Sequence, residues 1–290
     1  MVALELSDFS KGADLAVMLH VDPPDQRTRV TLESAAKFYR EAVAYAYQYL
    51  AEVATRRSDF SSAAELLETA ASWDDSLRDL YFNLGLAYIR ASRLEEAIAP
   101  VKKTLKRNPS SVDSRRLMVH LIRNFVAKRF SELAMDAVIF LGDLDPDAHD
   151  LAFFRGQIHA QKGQYADALK EFSTVLEMNP RDTGALYAKA SILISERKWN
   201  QAIPILETVI RLQPDHADAC YQLGSIQLEE GQFTQAVANL ETAARLNPSR
   251  ADNFYQLSRA YTQSSRPDEA EKALVRYRQL KKKDQEKTPD

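Results

Sequence analysis

Seven alanines set the frame of this chain. Ala63, Ala97, Ala134, Ala168, Ala202, Ala236 and Ala270 follow one another at steps of 34, 37, 34, 34, 34 and 34 residues. The position held by Gly224 recurs with them as Ala51, Gly85, Ile122, Gly156, Ala190 and Ser258. Prolines mark the end of most units at Pro109, Pro146, Pro180, Pro214 and Pro248, with Asp75 standing where the first would fall. A fixed period of this length denotes a solenoid, because one short helical unit cannot bury its apolar face alone and must stack on its neighbours.

Residues 217–250 display the unit most cleanly: ADACYQLGSIQLEEGQFTQAVANLETAARLNPSR. Leu223, Gly224 and Gln227 share one face of a first helix, and Ala236, Leu240 and Ala243 recur at helical spacing on a second. Gly231 lies between the two and Pro248 just beyond the end, both of them breakers. The small residues at Gly224 and Ala236 fall where two helix backbones must approach closely. This pattern resembles the tetratricopeptide repeat, with its small residue at position 8, Ala at 20 and Pro at 32. The resemblance covers residues 44–284 and implies an all-α, right-handed superhelical solenoid, with first helices on the concave wall and second helices on the convex one. Seven repeats are expected at 44–77, 78–111, 115–148, 149–182, 183–216, 217–250 and 251–284, followed by a charged tail at 285–290.

Residues 1–43 depart from the pattern. The segment 7–24 reads as a second helix without a first, since Phe9, Gly12 and Leu19 align with Phe60, Ala63 and Ala70. It fits either a degenerate capping helix or the cut edge of a longer array. The run from Thr31 to Arg57 lacks Gly and Pro, which predicts one long helix. Its rings at Phe38, Tyr39, Tyr45, Tyr47 and Tyr49 fall on more than one face. Some are expected under the 7–24 helix, packed against Phe9 and Leu19.

Composition limits function more than it directs it. A formal charge of −3 gives no general attraction to nucleic acid or to anionic membranes. No apolar run is long enough to span a bilayer, and the N-terminus lacks the basic start and apolar core of a signal peptide. One cysteine, Cys220, excludes an internal disulfide, and its place in the repeat marks it as a small packed hydrophobe. These facts fit a cytoplasmic protein. The five histidines share no metal-ligand spacing, and His159 stands where the family carries a core Tyr. Asp143, Asp145 and Asp147 alternate like a calcium loop, but Ala148 and Phe154 occupy the required Gly and Glu positions. Neither a cofactor nor a catalytic residue is expected, and the chain reads as a non-enzyme.

The resemblance directs position 5 of each first helix into the groove: Gln48, Phe82, Val119, Phe153, Tyr187, Tyr221 and Tyr255. A ladder of rings suits peptide binding, yet Tyr is also the ordinary residue there. Charge is more particular. Nine basic residues and only Asp113 lie between Lys102 and Arg129, whereas Ser131 to Asp150 holds six acids and no Lys or Arg. Arg116, His120 and Arg123 share one face of a first helix, and Arg90 precedes them in the neighbouring repeat. Some family cochaperones grip a C-terminal carboxylate at related positions. Here Asn83 and Arg116 match that clamp, His120 replaces Arg, and Gln48 and Glu52 replace Lys and Asn.

The expected function is therefore a non-catalytic interaction module that holds an extended peptide or partner helix in its groove, with a preference for acidic segments. The alternatives are a structural scaffold that self-associates through its terminal repeats, and an accessory domain of an enzyme.

Overall fold

A computed structural model describes residues 26–145 and 151–287. Among these residues the chain is wholly helical, with fourteen helices and no strand. It divides into two units, one up to Pro146 and the other from Asp147. The segment 7–24 and its contacts through Phe9 and Leu19 lie outside the described residues.

The first unit holds α1 (Gln26–Arg56), α2 (Phe60–Trp73), α3 (Leu80–Arg90), α4 (Leu94–Arg107), α5 (Val112–Ala127) and α6 (Ser131–Leu144). The second holds α7 (Leu151–Gln161), α8 (Tyr165–Met178), α9 (Thr183–Ser195), α10 (Trp199–Leu212), α11 (Ala217–Glu229), α12 (Phe233–Leu246), α13 (Ala251–Gln263) and α14 (Pro267–Lys287). Odd-numbered helices are the first members of each pair and even-numbered helices the second. Each helix packs on its partner and, within its unit, on the next pair. Each unit is thus a stack of helix hairpins with buried apolar clusters between them, the arrangement of a helical repeat solenoid.

The small residues do what their spacing predicts. Ala63, Ala97, Ala134, Ala168, Ala202 and Ala236 are wholly buried, and Ala270 is nearly so. At Gly224 an added Cβ would stand 2.8 Å from Leu240 Cγ and 3.2 Å from the Ala236 carbonyl. A side chain here would have to displace Leu240. The exception is Ile122, fully buried on α5. There α5 and α6 pack less closely along their length than the other six pairs, since the branched side chain fills the space that a backbone contact would otherwise use.

Every hairpin turns through one residue in the left-handed region, always at position 15. Ser58, Ser92, Arg129, Arg197 and Ser265 take φ values between 58° and 63°. Gly163 and Gly231 take 75° and 77°. The three residues inserted before the 115–148 repeat extend a helix instead of a loop. Ser111 caps α5 by accepting from the Ser114 amide at 3.3 Å, so this helix starts a turn earlier than its equivalents.

The long helix α1 runs past its partner. Tyr39 meets Trp73, near the far end of α2, edge to face at 6.2 Å, and residues before it extend beyond α2. Phe38 is 73% exposed, with Tyr45, Tyr49 and Leu50 also open to solvent.

Candidate functional site

The basic residues singled out from sequence lie in the first unit, on α3 and α5. Arg90, Arg116, His120 and Arg123 are all exposed. Their neighbours differ. Arg116 pairs with Asp113 one turn earlier at 3.3 Å, while Arg115 reaches Asp145 at 3.4 Å. His120 Nε2 lies 3.1 Å from Asn124 Nδ2, which also donates to the His120 carbonyl at 2.8 Å. Arg90 sits over the Phe60 ring at 5.4 Å. Among the described residues neither Arg90 nor Arg123 pairs with an acid. Of the acids after Ser131, Asp136 is taken by Lys102 at 2.5 Å and Asp145 by Arg115.

Two hollows flank α3. The first lies between α1 and α3 and is walled by Tyr45, Tyr49, Phe60 and Leu86, with Gln48, Glu52, Asn83 and Arg90 around its rim. The second opens between α3 and α5 and includes Asp79, Phe82, Asn83, Arg107, Asp113 and Ser114. Asn83 lines both. Glu52 is held by Arg56 at 2.7 Å, and Gln48 Nε2 donates to the Arg78 carbonyl at 3.3 Å.

The ladder of rings in the second unit is mostly engaged in packing. Phe153 lies 5.8 Å from Phe172 and close enough to Gly184 that a Cβ there would touch it at 3.3 Å. Tyr187 packs against His216 with ring centroids 4.6 Å apart, and burial, followed by the nearby Asp218 charge, raises its phenol pKa. Arg250 covers the Tyr221 ring at 4.2 Å while bonding Asp218 at 2.5 Å. Tyr255 alone of these four is exposed, beside Tyr277 at 5.4 Å. Sequence places these rings in the repeat but says nothing of the arginine or histidine that the following loop lays across them. Two of the acids on this face are paired within the unit, Asp218 with Arg250 and Glu229 with Arg259. Asp218, Glu229 and Asp252 take the groove-equivalent positions, and Arg259 is bonded to Glu229 at 3.0 Å.

Other expectations resolve locally. Cys220 is buried, which pushes its thiol pKa up and suits a packing role. His159, expected in the core, is only half-buried, and its Nδ1 lies 2.8 Å from Gln164 Oε1 in the turn. Asp147 and Ala148 of the alternating acidic stretch lie outside the described residues. No helix among the described residues is long and apolar enough to cross a membrane.

Stacked helix hairpins of 34-residue period define a helical repeat protein of the interaction-module class. Four models described as tetratricopeptide repeat match residues 50–112, 149–182, 188–254 and 227–286. The chain belongs to the tetratricopeptide-repeat family. A tetratricopeptide repeat protein from Parabacteroides merdae ATCC 43184 shares its fold with a TM-score of 0.57 at 16% identity, over 82% of this chain and 93% of that one. MamA 41-end from Desulfovibrio magneticus RS-1 does so with a TM-score of 0.50 at 20% identity, over 58% of this chain and 95% of that one. No match was found among curated proteins.

Proposed function

We propose that this protein is a non-catalytic module of the cytosol that holds an extended, acidic segment of a partner against the first helices of its N-terminal unit. The observation that carries this reading is the contrast in charge pairing between the two units. Arg90 and Arg123 carry no acid among the described residues, and Arg116 has only the exposed Asp113 one turn away. The equivalent face of the second unit holds acids, and its Arg259 is already bonded. An exposed pair such as Arg116 with Asp113 contributes little and is readily exchanged for a ligand carboxylate. Arginine suits that exchange, since its planar fork accepts a carboxylate through two parallel bonds.

Glu52 and Asp113 border the same face, so the preference is for acids placed opposite the arginines and not for negative charge everywhere. Isothermal titration of acidic and neutral peptides against the wild type and an Arg116→Ala, Arg123→Ala double variant tests the reading. Acidic peptides should bind more tightly, weaken with salt and lose most of their advantage in the double variant. Binding insensitive to both salt and substitution would overturn it.

A second reading draws on the exposed Phe38 and Leu50 of α1, in which that helix packs against another copy. Sedimentation of the full chain distinguishes the two, because only this reading expects a concentration-dependent dimer weakened by Phe38→Ser.

A further inference from the structure

We infer that the hollow between α1 and α3 reads a short apolar-x-acid stretch of an internal, extended peptide. This inference rests on the groove reading above and adds which residue classes are recognised, and in what spacing. The hollow encloses about 440 Å³, enough for one large side chain and the backbone around it. Tyr45 and Tyr49 stand one turn apart on α1 and are 59% and 63% exposed. With Phe60 and Leu86 they make an apolar wall. Large rings left in water on a folded helix lose exposed area when an apolar ligand group covers them.

The rim supplies two further kinds of contact, both on α3. Asn83 has a carboxamide that makes no hydrogen bond within the described residues, and one such amide offers a donor and an acceptor to a peptide backbone. Arg90 lies at the other end of the hollow, seated on the Phe60 ring at 5.4 Å and without an acid partner. Glu52 also borders the hollow and is bonded to the exposed Arg56 at 2.7 Å.

Helix geometry converts these positions into a spacing. Asn83 and Arg90 are seven residues apart on one helix, which at ~1.5 Å per residue separates them by about 10 Å along its axis. An extended chain advances ~3.3 Å per residue. A peptide whose backbone meets Asn83 thus carries an acid to Arg90 about three residues on. Leu86 lies between, so in a chain running from Asn83 towards Arg90 the apolar side chain comes two residues before the acid. Neither contact requires a chain terminus, so an internal stretch can make both.

The probes are fluorescein-labelled, acetylated and amidated Gly-Ser peptides bearing Leu-Ser-Glu, Ser-Ser-Glu, Leu-Ser-Gln or Leu-Glu, measured by anisotropy. The wild type should hold Leu-Ser-Glu on the order of tenfold more tightly than Ser-Ser-Glu, the range set by burying one aliphatic side chain. Tyr49→Ala changes an exposed ring and should erase that difference with unaltered circular dichroism. Arg90→Gln should make Leu-Ser-Glu and Leu-Ser-Gln equal. Leu and Ser peptides bound alike by the wild type, or an order unchanged by Tyr49→Ala, would overturn the inference. If the Arg116, Arg123 double variant weakens binding while Tyr49→Ala does not, the groove reading stands and this one falls. The reverse pattern removes the role of α5 and keeps the hollow. No binding of any probe overturns both.

Discussion

The Tyr261 hydroxyl donates to Glu241 at 2.7 Å, joining the last first helix to the second helix before it. Arg266 lies over the Tyr261 ring at 4.4 Å and is held by Glu269 at 2.9 Å. The same four positions recur near the other end of the chain. Tyr88 donates to Glu68, and Arg93 stacks on Tyr88 at 4.8 Å while bonding Glu96 at 2.7 Å. The intervening repeats place Phe125, His159, Leu193 and Gln227 at the tyrosine position, so this junction is polar only where the sequence supplies both phenol and carboxylate.

This relationship predicts a pH dependence. Burial, followed by the bond to Glu241, pushes the Tyr261 phenol up to about 12 from the ordinary 10. The folded state therefore keeps a proton that the unfolded chain releases first. The resulting stability is present in full below pH 10 and is lost as pH rises towards 12. Thermal melts across that window should show Tyr261→Phe declining less steeply than the wild type. Parallel curves would remove the assignment.

Close approach at Gly224 yields a second prediction. Gly224→Ala places a methyl group against Leu240 and the Ala236 carbonyl, and Ala236→Leu overfills the same crossing. Each should cost about 1–3 kcal/mol, read as a lowered midpoint in urea. An unchanged midpoint for both would contradict the register of the repeat.

A third prediction concerns the hairpin turns. Arg197 adopts a φ of 59°, a conformation that glycine accepts at little cost. Arg197→Gly should therefore raise stability by roughly 1 kcal/mol, the relief of a left-handed strain offset by glycine's greater freedom when unfolded. Gly231→Arg should lower it by a similar amount. Differential calorimetry of the two variants decides the matter, and shifts of the same sign would count against the turn argument.

How much was legible in the sequence follows from what repeats. Each alanine from Ala63 to Ala270 could be placed in the core because every hairpin crosses at the same point, and the spacing of 34 states this directly. A long first helix was visible in the unbroken run after Thr31, and α1 spans Gln26–Arg56. Left-handed turns at Arg129 and Arg197 were hidden, since glycine marks only two of the seven. The open or covered state of the groove rings was hidden as well. Phe153 and Tyr187 share a repeat position with Tyr255, but Phe172, Gly184 and His216 come from elsewhere in the stack and decide exposure. Which arginines stay unpaired is likewise a matter of reach between side chains, which no spacing records.

The central claim is that the first helices of the N-terminal unit hold the ligand. Amide chemical shifts followed by NMR during titration with an acidic peptide test it most directly. The account predicts movement of Tyr49, Asn83, Arg116 and Arg123, while Lys106 on α4 and Ile139 on α6 stay in place. Shifts concentrated on α4 and α6, or on the second unit, would contradict it.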